Sequence, residues 1–291
     1  MTKNKTAYPL ANLSDYGYKD YRKLGKYFKV FTMILTVLVV FMMYISVITI
    51  AFQSVNSSSD ISSFEGFTFK WYTNMFANRG LKNAIINTFT VSIIATALAT
   101  ILGTLVAVGI NAIEKKKRQQ IMILNNIPVL NADIVTGISV MLVFSLVLRI
   151  FPYIFGPTTM ILAHLFFTLP YVVLSVLPKL REIDKFLMDA ALDLGVKPYR
   201  ALYKVVVPAI KAGIFSGMLL AFTMSIDDFV ISYYNTGNGF DNLSIWIYGS
   251  IGRRSLTPSV YAFSTFVTIM TLVSLFLYQY IKKRGHKDAK H

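Results

Sequence analysis

Six stretches of this chain are apolar for long enough to cross a hydrocarbon core, which takes about 20 residues in a helix. Residues 30–52, 83–113, 150–178 and 255–281 hold no Asp, Glu, Lys or Arg, 119–148 holds only Asp133, and 212–234 is interrupted only by Asp227 and Asp228. The pattern predicts an all-α integral membrane chain with six transmembrane helices. The first window is longer than the apolar centre of a cleaved leader, about 7–15 residues, and no small-x-small site follows it, so it is expected to stay as an anchor.

Within the second window, Ala95, Ala99, Gly103 and Ala107 recur in steps of four, which puts small side chains on one stripe where another helix backbone can come close. That face packs either within the subunit or on a second membrane subunit. Between the first two windows the chain reads NSSSDISSFEGFTFKWYTNMFANRGLK; its Ser-rich start predicts a loop, and Trp71, Tyr72, Met75 and Phe76 stand at helical spacing for a short helix at the outer interface. Residues 1–29 are a polar arm with Tyr16, Tyr18, Tyr21 and Tyr27 among lysines, suited to the headgroup layer or to a disordered tail.

Composition agrees: 55% of residues are hydrophobic and 15% charged, with mean hydropathy +0.55. The net charge of +15 would point to nucleic acid in a soluble chain, but its distribution follows topology. Of the Lys and Arg residues, 23 fall in the N-terminal arm, the second-to-third and fourth-to-fifth connections and the C-terminal tail, against 6 in the other three connections. The positive-inside rule therefore puts both termini in the cytoplasm, and anionic lipid accounts for the basic balance with no nucleic-acid partner. There is no Cys, and His164, His286 and His291 lack metal-site spacing, so no metal is expected. A single His on an apolar helix is more often hydrogen-bonded to a neighbour than a ligand.

The segment DAALDLGVKPYRALYKVVVP at 189–208 stands out for its charge, its Gly and its two prolines. Gly195 can take the positive φ that closes one helix, and Pro198 suits the first turn of the next. In that second helix Tyr199, Leu202, Tyr203 and Val206 are expected on one face, Arg200 and Lys204 on another, with Pro208 as the stop. Ten or so residues reach only about 15 Å, so this helix cannot span a bilayer. It is either a lever between two spans or an interfacial loop helix.

Acids inside a span are costly, roughly 2.5–3.5 kcal/mol at the centre, and usually face a cavity. Asp227 lies about 22 Å up its window, nearer the outer leaflet. Adjacent residues are about 100° apart on a helix, so Asp227 and Asp228 cannot both face one pathway unless the helix unwinds. They either terminate the helix at the outer boundary or compensate a cationic substrate, to which Tyr233, Tyr234 or Trp71 could add cation–π contacts.

These residues carry a resemblance. Asp189-Ala190-Ala191, then Gly195, then Val205-Val206-Val207-Pro208 is similar in spacing to the EAA loop of ABC-importer permeases, E-A-A-x3-G-x9-I-x-L-P, with Asp for Glu and Val for both Ile and Leu. KWY at 70–72, ADIVTGIS at 132–139 and SIDDFVIS at 225–232 resemble the C-type permeases of spermidine/putrescine importers, with Ala132 where Pro is usual. The resemblance implies a type I ABC-importer permease fold with a cytoplasmic coupling-helix hairpin. Its organisation would be an arm at 1–29, a permease domain at 30–281 with the coupling loop at about 180–210, and a basic tail at 282–291. It implies coupling to the ATPase through Asp189, Ala190, Ala191, Gly195 and Pro208, and a polyamine path at Trp71, Asp133, Ser225, Asp227 and Asp228.

The implied partners are a second homologous permease, two ATP-binding subunits and an external substrate-binding protein. The chain has no G-x4-G-K-[ST] loop, so ATP and Mg are expected on the partner ATPase and no cofactor or enzyme activity here. A permease for another cationic or neutral solute is the nearest rival. A gradient-driven secondary transporter would show an inverted repeat, and a membrane enzyme a clustered nucleophile or acid–base set; neither signal is seen.

Overall fold

The computed structural model describes residues 13–58, 63–147, 155–183, 186–251 and 258–288. The first twelve residues of the expected arm, the opening of the 150–178 window, Arg149, Lys185, Arg253, Arg254 and residues 289–291 lie outside them. The chain divides into two compact units, Met1–Thr73 with Thr257–His291, and Asn74–Leu256.

In the first unit, α1 (Leu13–Gln53) runs unbroken from the basic arm through the first apolar window and meets α13 (Pro258–Asp288). Nearly every apolar side chain of α1 from Val30 onward is exposed, as suits a helix whose solvent is lipid. Beyond α1 the loop is organised by Asn56, whose side-chain oxygen accepts from the amides of Ser58 and Glu65 while its NH2 donates to the Ser63 carbonyl. A short helix, α2 (Lys70–Ala77), forms where the aromatic spacing placed one.

The second unit is built on three helices, α3 (Arg79–Ala112), α6 (Pro157–Glu182) and α10 (Lys211–Asp227), each packed on the other two. Ala95, Ala99, Gly103 and Ala107 are all buried, and a Cβ on Gly103 would lie 2.8 Å from the Cβ of Val172. The stripe therefore packs within the subunit, on α6. A second stripe with the same step, Gly213, Gly217, Ala221 and Ser225, is buried on α10, where a Cβ on Gly217 would lie 3.0 Å from the Cα of Val172. Backbone approach this close is what small residues permit between helices in lipid, where dispersion and hydrogen bonds replace the hydrophobic effect.

Among the described residues, three helices are apolar and long enough to span: residues Gly25–Gln53 of α1, α3 and α6. The window expected as a single span at 119–148 is instead α4 (Lys115–Leu130) and α5 (Asp133–Val147), bent by 105°. Pro128 explains the break: it has no N–H and crowds the carbonyl of Leu124, and three residues later Asn131 leaves the helix at φ −78°, ψ 153°. The fifth window is likewise interrupted, at Asp228, and the sixth lies in α13, apolar over Pro258–Ser274.

Arg118 comes from the basic run that follows α3, yet it folds back on that helix. Its Nε donates to the Ile110 carbonyl at 3.1 Å and its Nη2 to those of Asn111 at 2.5 Å and Ile113 at 3.0 Å, satisfying the end of α3.

Gly103→Leu should therefore destabilise the unit by about 1–3 kcal/mol through overpacking against Val172. Gly109→Leu, whose added Cβ meets nothing within 4 Å, should melt like the parent. Thermal denaturation of the two variants in the same detergent makes the comparison.

Candidate functional site

The first candidate is the hairpin after α6. Its opening helix, α7 (Phe186–Asp193), ends in a Schellman motif: Gly195 sits at φ +76°, its amide donates to Leu192 O at 2.9 Å, and Val196 N donates to Ala191 O at 3.1 Å. Pro198 then opens α8 (Pro198–Ala201) at a position where its missing N–H is no loss.

Pro208 does not stop this second helix. Residues Leu202–Val206 form a π turn, in which Val207 N reaches back five residues to Leu202 O, and α9 (Val207–Ala209) continues to Ile210. The wider turn accommodates a proline that can neither donate to the Lys204 carbonyl nor pack against it in α register. At Ile210 the chain bends by 73° into α10.

The faces also differ from the expected grouping. Ala201 is buried, and Leu202, Val205 and Val206 are half-buried, but Tyr199 and Tyr203 point outward at 62% and 74% exposure. Leu194 at the hairpin tip is 84% exposed. The inward side centres on Ala201 and Val205 rather than on Leu202 and Val206, so the tyrosines join the basic face, where the Arg200 guanidinium lies 5.8 Å from the Tyr199 ring centre. Asp189 and Ala190 are exposed, and Ala191 turns inward.

The second candidate lies at the other end of α10. That helix ends at Asp227, Asp228 is extended at φ −69°, ψ 131°, and α11 (Val230–Asn235) starts afresh. The helix thus unwinds between the two acids, freeing them from a fixed 100° separation. Asp228 turns inward, its side chain 7% exposed, and accepts from the amides of Ile231 at 3.2 Å and Ser232 at 2.7 Å, so it caps α11. Asp227 stays exposed.

Around Asp228 a buried polar cluster closes. His164, on α6, has Nδ1 2.7 Å from Ser225 Oγ and Nε2 2.8 Å from Ser232 Oγ, with Asp228 Oδ2 at 3.6 Å. Since a hydroxyl either donates or accepts, the neutral ring is satisfied in both tautomers. Asn242 donates to Ser232 Oγ at 2.8 Å and accepts from Ile245 N at 2.9 Å, capping α12 (Leu243–Ile251). Leu243 N donates to Thr88 Oγ1 on α3 at 2.8 Å, and Asn235 donates to the Gly137 carbonyl of α5 at 3.2 Å. Through these bonds α3, α5, α6, α10 and α12 are tied into one network with α11, whose polar groups find partners inside the protein as hydrocarbon requires, apart from Asn235 Oδ1, which is buried without one.

Of the residues singled out from sequence, Ser225 and Asp228 are inside this cluster, while Asp227 and Asp133, in the first turn of α5, are exposed. Trp71 belongs to the first unit, where its indole N–H donates to the Asn56 carbonyl at 2.6 Å. His164 meets hydroxyls rather than a metal, and among the described residues no group of three His, Asp or Glu could hold one. Sequence reasoning missed Asn242, though it stands one residue before a helix, where an Asn cap signal was legible. It named Tyr233 but missed its neighbours beside the break, Phe229 and Tyr248: Phe229 lies 4.8 Å from Tyr248 and 5.5 Å from Tyr233, and Tyr233 and Tyr248 are half exposed.

Known proteins place this arrangement. The spermidine/putrescine transport system permease protein PotC of Haemophilus influenzae is 31% identical over 77% of this chain and 85% of its own length. The putrescine transport system permease protein PotI of Escherichia coli K12 is 29% identical over 81% of this chain and 84% of its own length. In fold, a chain from the crystal structure of a bacterial ABC transporter involved in import of the acidic polysaccharide alginate superposes with TM-score 0.64, covering 91% of this chain and 99% of that one at 15% identity. Residues 99–287 match the family described as binding-protein-dependent transport system inner membrane component. The chain belongs to that family: it is a permease subunit of an ABC importer, and not itself an enzyme.

Proposed function

We propose that this permease carries polyamines, spermidine or putrescine, and forms half of their path with a second homologous permease. The observation that carries the reading is Asp227, an exposed carboxylate at a break in α10 with no Lys or Arg paired to it among the described residues. The half-exposed rings of Tyr233 and Tyr248, clustered with Phe229 just beyond the break, supply the aromatic faces that an alkylammonium favours. Division of labour between the acids supports it: Asp228 is committed to the fold, which leaves Asp227 for substrate. Asp133, Ser225 and Trp71 complete the proposed path set, with Ser225 acting through His164. The names of the polyamine permeases similar to this chain agree with a dicationic or tricationic solute.

In this reading the hairpin seats in an ATP-binding subunit, with Leu194, Tyr199 and Tyr203 as the exposed contacts. Asp189, Ala190, Ala191, Gly195 and Pro208 shape it: Asp189 sits in the first turn of α7, Gly195 makes the reversal, and Pro208 imposes the π turn. Two such subunits bind ATP and Mg, an external binding protein delivers the solute, and both termini face the cytoplasm. Closure of the ATPase pair would move the hairpins and switch access.

Four outcomes test this. ATP hydrolysis by the purified complex should rise when the binding protein is loaded with spermidine or putrescine; a rise only with another solute removes the polyamine assignment. Asp227→Asn should cut polyamine uptake by about tenfold or more, the loss of one charged contact, with assembly and melting unchanged. Asp228→Ala should instead lower stability by about 1–3 kcal/mol, because two amides lose their cap. Gly195→Pro removes both the positive φ and the donor to Leu192, and should leave hydrolysis running while transport stops.

A further inference from the structure

At the end of the second unit that carries the α3–α4 turn, an open recess of about 880 Å³ lies between α4 and the end of α6, lined by Lys115, Arg118, Gln119, Met122, Ile123 and Arg181. Among the described residues its lining holds three cations and no carboxylate. The acids nearest in sequence among the described residues are engaged elsewhere: Glu114 meets Lys117 at 3.9 Å, and Glu182 meets Lys179 at 2.8 Å. Arg118 is held in place by the three carbonyls at the end of α3, so its charge is fixed there at the cost of no ion pair.

The chemistry changes along α4. Its first turn is Lys115–Arg118, and within three further turns Ile123, Leu124 and Ile127 are exposed, with no residue of the helix buried. Charge followed by exposed aliphatic surface along one helix matches a molecule with an anionic head and hydrocarbon tails. A basic pocket between helices at the cytoplasmic side of a membrane is where such headgroups bind.

We propose that this recess binds the phosphate headgroup of one anionic phospholipid, with its acyl chains running along Met122, Ile123 and the exposed face of α4. The site rests on the cytoplasmic orientation of the 115–118 run proposed above. Bound there, the lipid bridges α4 to the end of α6 immediately before the hairpin, and the phosphate neutralises charge that Lys115, Arg118 and Arg181 otherwise concentrate in one hollow.

The test is native mass spectrometry of the complete transporter released from detergent, titrated with phosphatidylglycerol, phosphatidylcholine or glycerol 1-phosphate. The expected result is one phosphatidylglycerol retained per copy of this chain. Lys115→Gln with Arg181→Gln should weaken that retention by at least about fivefold, the effect of a single basic residue beside an anionic lipid. The tail pair Lys282→Gln with Lys283→Gln, which removes the same charge elsewhere, should leave it unchanged. Equal losses in both pairs, or none in the first, overturn the site. Displacement of the lipid by equimolar glycerol 1-phosphate assigns the recess to a soluble anion and overturns the lipid reading, as does loss of the ATPase subunit from the first pair with lipid retention intact. If no ATPase ever accompanies the chain, the coupling proposal fails, while the same titration on the chain alone still decides the recess, all of whose lining residues are its own.

Discussion

Val172 on α6 is the neighbour that both small-residue stripes share. Gly103 of α3 and Gly217 of α10 come so close to it that an added Cβ would sit 2.8 Å and 3.0 Å from its atoms. In lipid there is no water to expel between helices, so shape complementarity has to hold them, and close approach multiplies weak contacts. Everything the permease unit does is referred to this three-helix stack. α6 ends at the hairpin, α10 begins after it, and α10 ends at the acid pair, so the hairpin and the acids sit at opposite ends of one packed element.

The buried cluster around His164 performs a second task, holding a broken helix without exposing its loose ends. A break at Asp228 frees backbone amides that hydrocarbon cannot satisfy. The Asp228 carboxylate takes two of them, and Ser232, His164 and Asn242 then satisfy one another. Ser225 ties the same imidazole back to α10, below the break. The geometry that results keeps one carboxylate inside the protein and the other at the surface, so two adjacent and chemically identical residues acquire separate roles.

Much of this was legible in the residues. Windows free of charge located the helices, steps of four located the α3 packing face, and Gly195 with Pro198 fixed the reversal, because each of these rests on local chemistry. The bend between α4 and α5 was not legible from hydropathy, since a run of apolar residues gives the same signal whether straight or kinked, although Pro128 stands inside it. The outward tyrosines were not legible, because the helical period puts Tyr199 and Tyr203 beside Leu202 and Val206 without saying which flank of that stripe is buried, and the structure buries the Ala201–Val205 flank. The α10 stripe shows the same step as that of α3, with Gly213, Gly217, Ala221 and Ser225 one turn apart, and was equally legible. The partners of His164 come from positions 61 and 68 residues away, and no single-sequence periodicity reports contacts that distant.

The π turn before Pro208 has a consequence for grafting. It stores one surplus residue in the helix, which rotates whatever follows by about 100° relative to an unbroken α register. The outward ring of Tyr203 and the inward side chain of Ile210 are therefore phased by residue count as well as by residue type. A hairpin borrowed from another permease would keep its outer face and α10 in phase only if it arrived with the same number of residues between the glycine and the proline, however similar its letters.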